Sequence, residues 1–141
     1  GDEPAYRSLT HSWFIHSPLY ELLKYLSAEN VKVVISTDHG TVRVSNPLKV
    51  TGDRNTSANL RYKLGRNLDY RASEVFEITD PHKAGLPKTN ISSRFIFARN
   101  YDYLVYPNNY NHYVNYFRNT FQHGGISMQE MLIPLAVMEP K

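Results

Sequence analysis

The sequence predicts an α/β protein with a mixed sheet. Three observations carry that reading. A capped amphipathic helix runs through a short turn into a β-branched apolar segment at residues 31–36. Short strand patterns recur at residues 41–44, 75–78, 94–98 and 103–106. A last apolar segment, residues 131–138, contains Pro134, which places it at an edge or a bulge.

The first element the sequence marks is a helix opening at Ser17-Pro18. Serine is a good N-cap, proline suits the first helical position, and Glu21 faces the positive end of the helix dipole. Leu19, Leu22, Leu23 and Leu26 form one apolar stripe, and Ala28-Glu29-Asn30 closes the helix. Residues 31–36 are nearly continuous in apolar character, the pattern of a buried parallel strand. Residues 46–71 are polar and irregular, with a short helix expected near 58–63. Two prolines and a glycine make residues 80–87 a loop or single turn. Residues 94–98 and 103–106 read as a hairpin, and Tyr113, Tyr116 and Phe117 as one side of a helix over 110–118.

Composition narrows the function classes. The 141 residues amount to about one domain. There are no cysteines, which excludes disulfides, thiolate zinc sites and cysteine nucleophiles, so a metal would rest on His, Asp and Glu. Sixteen basic and 13 acidic residues give a net charge of +3, scattered rather than clustered as in a dedicated nucleic-acid binder. No apolar run approaches the roughly 20 residues of a membrane-spanning helix. No secretory leader pattern opens the chain, and the expected location is the cytoplasm.

Two motifs carry candidate chemistry. Ser36-Thr37-Asp38-His39-Gly40 directly follows the strand pattern, and ligands in open α/β sheets bind beyond the carboxyl ends of strands. Asp38 and His39 together form a donor pair suited to Zn²⁺ or Mn²⁺; the competing reading is an Asp turn with a surface histidine. In Phe121-Gln122-His123-Gly124-Gly125-Ile126-Ser127, the glycines let backbone approach a ligand beside His123, unless the segment is merely a connection. Ser127 and Glu130 have capping-box spacing. The Tyr/Asn tract of residues 100–116 could stack bases of a single strand, or supply core-edge tyrosines whose hydroxyls find partners. His11, His16, His82 and His112 lack a ligand context.

Taken together, the two motifs resemble the metal-ligand segments of the alkaline phosphatase superfamily, and the chain is similar to the C-terminal part of a PglZ domain. The likeness extends to Arg61-Tyr62-Lys63 with Gly65, Asp80-Pro81 with Ala84-Gly85-Leu86-Pro87, Tyr106-Pro107-Asn108-Asn109, and Glu130-Met131 with Pro134. The resemblance implies an α/β fold in which residues 1–141 are the C-terminal part of a doubly wound mixed sheet. It implies a two-zinc phosphoesterase centre, with Asp38 and His39 on one zinc and His123 on the other.

The family pattern also needs a Thr or Ser nucleophile, an early Asp ligand and an Asp-x-x-x-His pair. No Asp here is followed four residues later by His, and Thr37 is not assigned the nucleophile's role. The expectation is therefore a fragment that binds at most one metal, weakly, and is inactive alone. Domains of this kind occur at the C-terminal end of response regulators in Bacteroidetes-like bacteria. The expected function is thus part of a zinc-dependent, phosphodiesterase-like effector of two-component signalling. Its expected partners are a phosphate-ester substrate of nucleotide-derived type, the missing N-terminal part of the domain and a receiver domain, with homodimerisation through an exposed strand edge. The alternative is a non-catalytic interaction domain that keeps the phosphatase-like fold. Nucleic-acid binding, the third reading, predicts steep salt dependence and no metal requirement.

Overall fold

The computed structural model describes residues 2–140. In chain order the elements begin α1 (Glu3–Ile15), α2 (Pro18–Leu26), β1 (Val33–Ser36), β2 (Val42–Arg43), β3 (Asn46–Lys49), β4 (Tyr62–Gly65) and β5 (Val75–Ile78). They continue with β6 (Arg94–Ala98), β7 (Asp102–Val105), α3 (Tyr110–Phe117), β8 (Phe121–Gln122), α4 (Met128–Met131) and β9 (Leu135–Met138). Helix and strand interleave, as expected of the α/β class. The strands form small sheets in which β3–β7 is parallel and the other pairs antiparallel, so the sheet content is mixed.

The chain divides into two compact units. Residues 1–38 and 133–141 form one of them, holding α1, α2, β1 and β9. Ser17 Oγ accepts the Tyr20 amide at 3.3 Å, so the cap read from sequence is present. Helix α1 has the same kind of start: Asp2 Oδ1 accepts the Ala5 amide at 2.9 Å, with Pro4 in the first turn. The sequence reading passed over that signal. Strand β1 corrects another expectation. It pairs antiparallel with β9 from Val33↔Met138 to Ser36↔Leu135 and alternates half-buried with exposed, rather than being a buried parallel strand. Its apolar run reflects β propensity, and the long return of the chain supplies an antiparallel partner. Strand β9 begins just after Pro134, because proline cannot donate to the ladder, and Met131 belongs to α4.

Residues 39–132 form the second unit, which holds the core. Strand β7 divides that core in two. Tyr103 and Val105 point into a cluster with Val42, Val44 and Val114, while Leu104 points the other way, into Val50, Val75, Ile96 and Ala98. Period-two alternation along a strand buried on both faces produces this. The expected hairpin of residues 94–106 does not form: β6 is the middle strand of β4–β6–β5, and β7 pairs with β3. The chain turns at Arg99–Asp102, with the Asp102 amide bonded to Arg99 O at 2.9 Å, but each strand finds a different partner. The expected helix at 58–63 is also absent. Asn59 Oδ1 accepts the amides of Arg61 at 2.7 Å and Tyr62 at 3.2 Å, a local turn that competes with helix and feeds β4. Among the described residues no helix is long and apolar enough to cross a membrane.

Candidate functional site

Strands β2 and β8 explain how two distant histidines meet. Their antiparallel register sets Val42 opposite Gln122 and Arg43 opposite Phe121. The residues preceding β2 therefore lie beside those following β8. His39 and His123 stack face to face there, with ring centroids 3.6 Å apart and planes 9° from parallel. His39 is half-buried and His123 exposed.

The orientation of His39 is fixed from its Nδ1 side, which donates to Gly40 O at 2.9 Å. A carbonyl can only accept, so Nδ1 is the donor in this contact. On the other loop, Asn59 Nδ2 donates to His123 O at 3.3 Å.

Beneath both loops lies a buried ion pair. Arg61 Nε donates to Glu130 Oε1 and Arg61 Nη2 to Glu130 Oε2, each at 2.9 Å. Arg61 Nη1 donates to the Asp102 carbonyl. Glu130 also accepts the Gly125 amide at 2.9 Å, the Ser127 amide at 3.2 Å and the Ser127 hydroxyl at 2.6 Å. Its own carbonyl accepts the Gly40 amide at 2.9 Å. One glutamate thus ties the residue after His39 to the segment that follows His123. Desolvation pushes its carboxyl pKa up, but hydrogen bonds from Arg61, Ser127 and the Gly125 amide outweigh burial and hold it below the ordinary value.

The two glycines at these anchor points have no room for a side chain. A Cβ on Gly40 would lie 2.0 Å from the Gln129 carbonyl oxygen, and one on Gly125 would lie 2.6 Å from Glu130 Oε2. Both are close approaches of backbone that only glycine permits.

Of the three site residues read from sequence, the structure brings His39 and His123 together. Asp38 precedes His39 at the end of the other unit, exposed, within 3.4 Å of the Thr37 hydroxyl. The remaining histidines stand elsewhere: His11 in α1, His16 at its C-terminal end, His82 in the turn at Pro81–Ala84, and His112 against Tyr113 and Tyr116. Sequence reasoning found Glu130 as a capping residue, and that box forms. It noted Arg61 only as part of a family-like segment and missed its pairing with Glu130, 69 positions away, which no local pattern announces.

The donor chemistry fits divalent cations in part. An imidazole coordinates in its own plane, at about 2.0–2.1 Å for zinc. Two nearly parallel rings 3.6 Å apart are badly placed to share one ion, but their spacing matches two ions about 3.5–4 Å apart. Among the described residues no three His, Asp or Glu side chains are grouped to hold an ion.

No curated protein matches the chain. A family model described as the BREX system PglZ alkaline phosphatase-like domain matches residues 3–138. That match takes in both histidine loops and the Arg61–Glu130 pair, and the chain belongs to the PglZ family of alkaline-phosphatase-like domains.

Proposed function

We propose that this chain supplies the His39 and His123 side of a zinc phosphoesterase centre in a larger PglZ domain. The stacked imidazoles at 3.6 Å are the observation that carries the reading. Alkaline-phosphatase-like domains typically use zinc. Asp38 and His39 would hold one ion and His123 the other. Bound there, divalent ions polarise a phosphoryl oxygen and favour the deprotonated nucleophile. The chain's own residues do the positioning. Gly40 O orients the His39 ring, and Glu130, locked by Arg61, anchors the backbone beside each histidine.

The remaining ligands and the nucleophile come from the rest of that domain, which makes residues 1–141 its C-terminal part. We assign the whole protein to phosphodiester hydrolysis as the effector of a response regulator. Alone, the chain binds at most one ion, weakly, and does not turn over. Zinc titration and a bis(p-nitrophenyl) phosphate assay test this. Robust zinc-dependent hydrolysis by the chain alone overturns its inactivity. Full activity of the parent protein carrying H39A and H123A overturns the assignment.

One observation favours a second reading, a phosphatase-like domain kept for partner binding. Among the described residues no three ligating side chains group. In that case the parent protein also lacks zinc-dependent turnover.

A further inference from the structure

Two residues beyond Arg61, in β4, lies a second buried cation with a different environment. Lys63 is 1 % exposed. Its Nζ sits 4.2 Å from the centroid of the Tyr106 ring, and no described residue offers it a hydrogen bond or an ion pair. The two cations are both in the interior, yet only Arg61 has a carboxylate. Among the described residues no fully buried side-chain nitrogen or oxygen lacks a hydrogen-bond partner, so the Lys63 ammonium is not sealed in: it faces the adjoining cavity, where the Tyr106 ring replaces only part of its hydration.

The space beside Lys63 is a cavity of about 380 Å³. Leu60, Leu104, Val105, Tyr106, Tyr113 and Phe117 give it apolar and aromatic walls. Those walls are held in place. The Tyr106 hydroxyl donates to Ser57 O at 2.9 Å, and Tyr113 and Phe117 stack with centroids 6.0 Å apart and planes 13° from parallel. Tyr113 is 40 % exposed, so the cavity reaches solvent past its ring. A volume within the ordinary range of small-molecule sites, flat apolar walls and one convergent charge are the attributes of a ligand pocket.

We propose that this cavity binds a small aromatic carboxylate, its ring between Tyr106 and the Tyr113–Phe117 wall and its carboxylate on Lys63 Nζ. Charge complementarity selects the class. The pocket offers one cation, which matches one carboxylate, with the Asn108 amide as a further polar group in the lining; a phosphate brings up to two charges against that single cation. A neutral aromatic fills the volume but leaves the ammonium without its anion. This site is separate from the histidine pair and does not rest on the phosphoesterase reading.

Benzoate, indole-3-acetate and 2-naphthoate, each paired with its neutral amide, test the proposal on the whole chain. Backbone amide NMR reads the binding. At least one acid should saturate, with shifts centred on Lys63, Tyr106, Tyr113 and Phe117, and should bind about tenfold or more tightly than its amide. In K63M, whose fold is checked by its own spectrum, that preference should vanish. If none of the acids shifts the cavity residues at millimolar concentration, or if acid and amide bind the unmodified protein alike, the proposal fails.

Discussion

Glu130 and Arg61 form a two-point ion pair at 2.9 Å, with side chains 1 % and 0 % exposed, on segments 69 positions apart. The pair is more than a core contact. Glu130 receives the Gly125 and Ser127 amides through its carboxylate and the Gly40 amide through its carbonyl. The loops that carry His39 and His123 are thus referenced to one residue. Burying two charges is expensive in itself, so the arrangement is better understood as fixing a geometry than as a source of stability.

Removing one partner should be far worse than removing both. E130A leaves the Arg61 guanidinium buried without its anion and should cost about 3–5 kcal/mol in denaturant unfolding. The double replacement R61M/E130M should recover part of that loss. It should not restore the His39–His123 geometry, which an NMR contact between the two rings would report.

Acid should loosen this hub. The folded-state pKa of Glu130 lies below its unfolded value near 4.5. Its contribution to stability is therefore present above pH 4.5 and lost as pH falls through the lower, folded pKa. Urea unfolding between pH 6 and pH 3 should show stability falling with acidification, and E130Q should flatten that part of the curve relative to the unmodified chain.

Substitution of Gly40 should be costly although it adds only one methyl group. A Cβ placed 2.0 Å from the Gln129 carbonyl oxygen must push backbone against backbone. G40A should lose about 1–3 kcal/mol by thermal or urea unfolding, in the range of overpacked sites. His39 should shift more in NMR than the distant His112.

These features differ in how far the sequence announced them. Local signals were legible: the Ser17 cap, the Ser127–Glu130 box, the α3 aromatic face and the β5 strand all form as read. Pairing was not. Strand patterns at 94–98 and 103–106 looked like a hairpin because they are adjacent, yet the partners that bury them are β4, β5 and β3. Alternation tells which face is apolar, not which strand covers it. The candidate site divides the same way. His39 and His123 stood out by their glycine neighbours, whereas Arg61 and the carboxylate-free surroundings of Lys63 exist only after long-range packing.

Lys63 gives the stability curve an alkaline limb. Burial lowers its pKa from 10.5 to about 8. Below pH 8 the folded protein carries the cost of a buried charge. Between pH 8 and 10.5 the unfolded chain binds more protons, so this group makes stability rise with pH. Buried tyrosines with raised pKa values act in the opposite sense near pH 10, so the difference from K63M is the quantity to follow. K63M should be more stable at pH 7, by about 1–3 kcal/mol, and its advantage should shrink steadily above pH 8.

In the proposed centre, His39 and His123 are metal ligands presented side by side. Zinc titration followed through the side-chain nitrogen signals of all six histidines separates these two from the rest. The Nε2 of His39 and a ring nitrogen of His123 should respond, while His11, His16, His82 and His112 should not. A response confined to those other four, or none at either stacked ring at saturating zinc, would contradict that assignment.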